Sequence, residues 1–303
     1  MGASARGRDV VTAMSTLLCL GLGYTARHYV AAFGARFDRV IGTARTRDRA
    51  DRMHSVGAVE TLVFEGRAGR RIADAIAACD AVLASAPPSG AADPVLAECF
   101  DLLAGASKLR SVVYLSTVGV YGNYDGAWVN ETTAPKTTTT RGRARLAAEG
   151  AWQSLGERAG KSVAVLRLAG IYGPGRNALV QLTDGTAKCI VKPGQVFNRI
   201  HVADIAQVID SAFARRASGV FNVSDDEPAP PQDVVRFAAD LLGLPAPPEI
   251  PFTEAVKELS PMAASFYADC RRAGNERIKR ELGIALRFPT YREGLRALAA
   301  ADK

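Results

Sequence analysis

Histidine is scarce in this chain, three residues in 303, and the three stand far apart at His28, His54 and His201. Cysteine is barely commoner: Cys19, Cys79, Cys99, Cys189 and Cys270 form an odd set with no C-x-x-C pair. That spacing excludes zinc ribbons and fingers and offers no disulfide framework, so reduced, buried thiols are expected and a metal site is not. Long apolar runs are missing as well; no stretch of 18 apolar residues occurs, and no membrane span is expected. The mixed stretch from Val10 to Leu22 behind Arg6 and Arg8 has the outline of a secretory signal, but Thr12, Ser15 and Thr16 break it. Lysine is sparse too, eight of the 38 basic residues against 30 arginines. The net charge of +7 is mild for this length and no run of five basic residues appears, so a nucleic acid partner is not expected. Neither H-E-x-x-H nor G-x-S-x-G is present, which removes the sequence basis for zinc proteolysis and serine hydrolysis. Gly156 to Ser162 imitates a phosphate loop, yet it is one residue short and precedes a strand instead of following one.

What is present is ordinary soluble composition, 48% hydrophobic and 23% charged, with length enough for a real core. A cytoplasmic location is expected. Residues 1–14 read as a disordered tail, with Met14 an alternative start. Thereafter short apolar runs alternate with helix-compatible segments. Thr16 to Leu20, Arg39 to Thr43, Thr61 to Phe64, Ala81 to Ala84, Ser111 to Leu115 and Ser162 to Leu168 read as strands buried on both faces. Residues 24–34, 46–56, 68–78, 92–104 and 143–158 read as the helices between them. The pattern predicts an α/β fold, a doubly wound parallel Rossmann sheet, because right-handed crossovers place helices on both faces. Residues 15–170 are assigned to this nucleotide-binding domain, and a helix over Val202 to Arg215 with a strand over Gly219 to Asn222 returns residues 200–223 to it. Residues 171–199 and 224–303, richer in Gly and Pro turns, make a smaller C-terminal α/β substrate-binding region.

The first strand runs into Gly21-Leu22-Gly23-Tyr24-Thr25-Ala26. A dinucleotide fold needs Gly21 for the tight turn, Gly23 for close backbone approach to a pyrophosphate, and a small residue such as Ala26 for helix-to-strand packing. Gly21, Gly23, Tyr24 and Thr25 are therefore cofactor-binding candidates. At the end of the second strand an NAD site places a carboxylate for the ribose 2′-hydroxyl; here Ala44 is followed by Arg45, Thr46 and Arg47. Guanidinium groups grip phosphate in bidentate fashion, so NADP(H) is expected in preference to NAD(H). Ser85, Ala86 and Pro87 follow the fourth strand and should line the same cleft.

Beyond the glycine turn, Tyr114 to Gly122 (YLSTVGVYG), Leu166 to Arg176 (LRLAGIYGPGR), Asn198 to Ala206 (NRIHVADIA), Phe221 to Pro228 and Phe288 to Leu295 follow in order. Together these motifs resemble the extended short-chain dehydrogenase/reductase superfamily, in particular its nucleotide-sugar epimerase/dehydratase group and atypical branch. The resemblance implies an NADP(H)-dependent oxidoreductase or epimerase acting on a small polar substrate, nucleotide sugars included. It also implies that a Ser or Thr polarises the substrate oxygen, that a Tyr moves the proton, and that a Lys four residues later holds the nicotinamide ribose. Thr117 takes the hydroxyl position. The string Arg141-Gly142-Arg143-Ala144-Arg145-Leu146-Ala147-Ala148-Glu149 departs from the pattern: anchored on Ala148-Glu149, it puts Arg145 in the Lys slot and Arg141 in the Tyr slot.

A free phenol titrates near about 10 and can be tuned, whereas a guanidinium stays charged at every accessible pH and is no ordinary proton shuttle. With that slot lacking its phenol, Tyr121, Tyr124 and Tyr172 are the substitute donors to consider. On the substrate side, Tyr124, Arg176, Arg199 and His201 are candidates, the two arginines for gripping a diphosphate, while Asp204 suits the amino end of a helix. The alternative is a catalytically idle NADP(H)-binding sensor or scaffold. The resemblance leaves a homodimer plausible.

Overall fold

The computed structural model describes residues 14–53, 59–88, 90 and 92–301, so the tail expected over residues 1–14 lies, but for Met14, outside the described residues. Seven strands build the central sheet: β1 (Met14–Leu20), β2 (Phe37–Ala44), β3 (Val59–Val63), β4 (Ala81–Ala84), β5 (Ser111–Thr117), β6 (Ser162–Leu168) and β7 (Gly219–Val223). All neighbours pair in parallel, in the spatial order β3-β2-β1-β4-β5-β6-β7. The order reverses at β1, where the chain leaves toward β2 on one side while β4 pairs on the other, so the carboxyl ends of β1 and β4 flank the crevice in which such sheets bind ligands.

The strands are apolar throughout because both faces are covered. Leu17 and Cys19 of β1 belong to one core with Tyr29 and Val30 of α1 (Tyr24–Phe33) and Ile205, Ile209 and Phe213 of the helix Val202–Ala214. Leu18 and Leu20 point the other way, toward Ile72 and Ile76 of α3 (Arg70–Ala78), Leu103 of α4 (Leu96–Gly105) and Trp152 and Leu155 of α5 (Thr140–Ala159). The alternation follows from the two-residue period of a strand. Between β2 and β3 stands the short helix α2 (Arg47–Met53).

Several boundaries moved from expectation, each for a local reason. The fourth helix begins at Leu96 because Asp93 Oδ1 accepts from Val95 N and Leu96 N at 2.9 and 3.1 Å and ends the preceding turn, while its Oδ2 accepts from Trp152 Nε1 of α5. Helix α5 begins three residues early because Thr139 is its cap, its hydroxyl accepting from Gly142 N at 3.0 Å. Strand β5 runs on to Thr117 because its ladder with β6 continues past the apolar run to Leu168. All five cysteines are free; burial pushes the thiols of Cys19 and Cys79 up to about 12, and Cys270, expected to be buried, is partly exposed. Among the described residues no helix is long and apolar enough to cross a membrane, and no cluster of three metal-ligating side chains occurs.

The remainder of the chain adds three two-stranded parallel ladders: Gly170–Tyr172 with Arg199–His201, Cys189–Val191 with Glu249–Pro251, and Trp128–Val129 with Arg272–Ala273. Its largest apolar cluster joins Tyr172, Leu179, Val234, Ala238, Tyr291 and Leu295.

A buried ion pair ties helix α5 to the sheet. Glu149 accepts from Arg167 of β6, with Nη2 to Oε2 at 2.8 Å, and from the hydroxyl of Ser116 of β5. Removing one partner leaves the other charge buried and unpaired. Glu149→Gln should lower the unfolding free energy in denaturant by about 3 kcal/mol or more; a loss below about 1 kcal/mol, the range of exposed pairs, would contradict this.

His201 caps the helix Val202–Ala214, Nδ1 accepting from Ala203 N at 3.1 Å, and its ring sits between Phe288 at 4.2 Å and Tyr172 at 5.1 Å. Burial, aided by Arg287, pushes this imidazole down to about 4. The folded value lies below the unfolded one, so the unfolded chain takes the proton first and stability is lost as pH falls from about 6.5 toward 4, by about 3 kcal/mol from this group. His201→Asn keeps a capping acceptor without titrating. Its urea midpoint should therefore vary less than the wild type's over this range, and identical slopes would refute the assignment.

Candidate functional site

The glycine turn is built as a cradle. Gly21 has φ +96°, and a Cβ there would lie 2.9 Å from Ser85 Oγ and 3.0 Å from Ala86 N, so only glycine fits. The turn is held on both sides: Gly21 N donates to Thr43 Oγ1 of β2 at 2.8 Å, and Ser85 Oγ donates to the Gly21 carbonyl at 2.5 Å. A Cβ on Gly23 would meet nothing within 4 Å, so the space beside it is open. Gly23 is also the N-cap of α1 and no side chain caps that helix, which leaves its first amides for an anion. These features fit a dinucleotide pyrophosphate.

Around the cradle the candidates divide. Ser85 and Ala86 are half-buried and border Gly21; Pro87 is exposed beside them. Thr25 is buried, and only its backbone remains to the site. Tyr24 is half-buried, its hydroxyl donating to Pro174 O at 3.1 Å. Arg45, Thr46 and Arg47 are all exposed just past the end of β2, the strand whose Thr43 holds the turn. Arg176, expected on the substrate side, instead stands with its guanidinium 5.7 Å from the Tyr24 ring centroid, at the start of α1.

At the end of β5, Thr117 is half-buried and accepts from Gly119 N at 3.0 Å, which leaves its own hydroxyl proton to donate. Arg145, on α5, reaches the same strand: its Nη1 donates to Leu115 O at 2.8 Å and to Tyr114 Oη at 3.0 Å. Arg141 is exposed one helical turn earlier, 5.3 Å from the centroid of the Phe266 ring.

The substitute phenols do not converge on this place. Tyr121 is fully buried under the Arg167 guanidinium, its hydroxyl 2.8 Å from Asn222 Oδ1 and 2.9 Å from Asn130 O, two acceptors for one proton. Burial pushes its pKa up, the wrong direction for a proton shuttle. Tyr172 is buried in the C-terminal cluster, and its pKa also rises, first through burial and then through the charges of Asp225 and Asp204. Tyr124 is half-buried and donates to Ala134 O at 2.6 Å. Two substrate candidates are likewise structural: His201 is the helix cap described above, and Arg199 is held by the carbonyls of Phe197 and Ala229 beside the Tyr291 ring. Asp204 does not cap its helix; it is fully buried and accepts from Arg287 N and Phe288 N at 2.6 and 3.1 Å.

Sequence reasoning missed four contributors to the candidate site. Thr43 gave no signal, since a strand-end threonine is ordinary. Ser116 and Arg167 gave no signal either, because their shared partner Glu149 is brought to them only by the fold. Arg271 lies in a segment with no motif, yet its Nη1 donates to Gly122 O at 2.8 Å, just beyond Thr117.

Comparison with known proteins bears out the fold. In structure, the chain is similar to a functionally unknown conserved protein from Silicibacter pomeroyi DSS, with TM-score 0.85 and 46% identity over 95% of this chain and 99% of that one. It shares its fold with the dTDP-glucose 4,6-dehydratase of Bacillus anthracis solved with NAD, TM-score 0.75 at 17% identity, covering 95% and 96% of the two chains. In sequence, it is 28% identical over 245 residues to protein YeeZ of Escherichia coli K12, 77% of this chain and 86% of that one. It is also 31% identical over 140 residues to a 3-diazoavenalumate denitrifying reductase of a Streptomyces species; that match spans 43% of this chain and 45% of the reductase. Since the model of one family matches residues 21–224, from the first glycine of the cradle to the residue after β7, the chain belongs to the NAD dependent epimerase/dehydratase family.

Proposed function

We propose that this protein is an NADP(H)-dependent oxidoreductase in which an arginine replaces the usual ribose-holding lysine and no tyrosine serves as the proton donor. The observation that carries the cofactor choice is the end of β2. Its Thr43 is bonded to the phosphate turn, and the residues that follow are the exposed Arg45 and Arg47 with no carboxylate between them. A 2′-phosphate placed there meets two guanidinium groups, and the first acid, Asp48, comes only after them.

NADP(H), when bound, supplies or removes a hydride. The chain's own groups do the rest. Gly21, Gly23 and the first amides of α1 hold the pyrophosphate, and Arg176 adds positive charge beside Tyr24. Arg145, anchored on Leu115 O and Tyr114 Oη, presents its remaining donors to the nicotinamide ribose. Thr117 hydrogen-bonds the substrate oxygen and so stabilises the charge that develops there, while the proton that balances the hydride exchanges with solvent water. The partial match to a reductase supports a redox reaction, and a small polar substrate, nucleotide sugars among them, accords with the family. A homodimer in the cytoplasm remains our expectation. One observation favours the second reading, an idle NADP(H) sensor: the hydroxyls of Tyr121, Tyr124 and Tyr172 are all engaged with protein acceptors.

Calorimetry with each coenzyme tests the cofactor. The double variant Arg45→Ala, Arg47→Ala should weaken NADPH by about 100-fold and NADH by only a few-fold; equal weakening would remove the 2′-phosphate assignment. For turnover, NADPH oxidation is followed over a panel of carbonyl compounds and nucleotide sugars. Thr117→Val should reduce kcat about 100-fold while leaving NADPH affinity unchanged. Tight NADPH binding with no oxidation across the panel would instead establish the sensor.

A further inference from the structure

The chain from Pro261 to Ala273 crosses from the C-terminal part of the molecule to the end of β5. The helix Pro261–Ala268 carries Phe266, whose ring is 52% exposed and meets Arg141 at the start of α5. Five residues on, Arg271 reaches the turn after Thr117, its Nη1 donating to Gly122 O at 2.8 Å and lying 3.4 Å from Asp269 Oδ2. Tyr124 N and Gly126 N donate to Cys270 O, and Arg272 pairs with Trp128, so this segment is fixed against the loop behind β5.

Both contacts of Arg271 use the same nitrogen. Its Nε is buried with no hydrogen-bond partner, and its Nη2 donates to nothing among the described residues. Nε and Nη2 form the side-on fork of a guanidinium, the edge that takes a carboxylate with two parallel bonds. Among the described residues the chain already uses that edge on a carboxylate three times, Arg39 on Glu60, Arg167 on Glu149 and Arg292 on Glu227. In Arg271 the fork is left over beside the reacting place. A Cβ on Gly119 would lie 3.3 Å from Thr117 Oγ1 and 3.9 Å from Arg271 Nη2, so both donors border one small gap that exists because residue 119 is glycine. Thr117 and Arg271, the side chains that border it, both offer donors. Asp269 meets the guanidinium at Nη1, away from the fork. Such a site accepts an acceptor-rich anion, and the exposed Phe266 ring offers a flat apolar wall.

We propose that Arg271, Thr117 and Phe266 form a substrate subsite for a planar organic carboxylate, with the Arg271 fork gripping the anion and the Phe266 face lying along the plane of the ligand. This rests on the oxidoreductase reading and gives it a substrate class. The carboxylate takes the two donors that the protein leaves without a partner, while Thr117 points its proton at the neighbouring oxygen that reacts.

The test uses the NADP⁺-loaded protein and three probes titrated by calorimetry: benzoate, benzamide and cyclohexanecarboxylate. Benzoate should bind at least about tenfold more tightly than benzamide, which keeps the ring and lacks the charge. Arg271→Gln should abolish that preference, and Phe266→Leu should weaken benzoate while leaving cyclohexanecarboxylate unchanged. Gly119→Ala, at a position without positive φ, fills the gap and should weaken benzoate about tenfold; it decides the matter if Arg271→Gln fails to fold. Equal affinities for benzoate and benzamide, or a preference that survives Arg271→Gln or Gly119→Ala, would overturn the subsite. NADP⁺ affinity is measured first on every variant: a chain that binds no NADP⁺ overturns the cofactor reading, whereas one that binds it without distinguishing the probes overturns the subsite alone.

Discussion

The buried contact between Glu149 and Arg167 sets the geometry on which the rest of the molecule depends. It joins α5 to β6 and, through the Ser116 hydroxyl, to β5, so the helix has one permitted height against the sheet. Two neighbours inherit that height. Arg145 is one helical turn before Glu149 and therefore arrives at the Leu115 carbonyl. Thr117 follows Ser116, and because side chains alternate along a strand it faces away from the pair, at the last position of β5. Arg167 in turn covers the Tyr121 ring, 4.8 Å from its centroid, and so helps to bury the phenol that stands nearest in sequence. A charged pair held away from water is a costly way to join helix and strand, and its use here is understandable as a device for specificity of register.

The nucleotide half obeys a different constraint, close approach of backbone. Gly21 is wedged against Ser85 and Ala86, and Thr43 bonds to its amide from the opposite side, so β1, β2 and β4 all contribute to one turn. Rigidity is supplied by neighbours while the helix end beyond it stays uncapped. That combination of a braced loop and unsatisfied amides suits a ligand carrying its own negative charge.

Much of this was legible in the sequence. Six of the seven sheet strands announced themselves as apolar runs too short for helices, and the seventh was expected at Gly219. The cradle and the arginines after β2 follow from spacing, whereas the placing of Arg145 in the lysine slot comes from the family resemblance. Less legible was anything decided by burial. Tyr121, Arg199 and His201 carry side chains that do chemistry elsewhere, and their residue types gave no hint that the fold would enclose them; His201 became a cap and Arg199 a strut between two carbonyls. Arg271 was invisible for the opposite reason: nothing in Cys270-Arg271-Arg272 marks it, and only the pairing of Arg272–Ala273 with Trp128–Val129 brings it to the end of β5.

That last ladder has a consequence for assembly. Its strands are separated by well over a hundred residues, and both Tyr124 and Gly126 rely on the Cys270 carbonyl for a backbone acceptor. During synthesis the glycine turn and the first five strands leave the ribosome long before residue 270 is made. The glycine cradle can therefore organise early, while the loop after β5 waits for Arg272–Ala273 to supply its missing strand. Loop closure over that span is slow relative to local pairing, which makes completion of the loop beside Thr117 a late event in the life of each new chain.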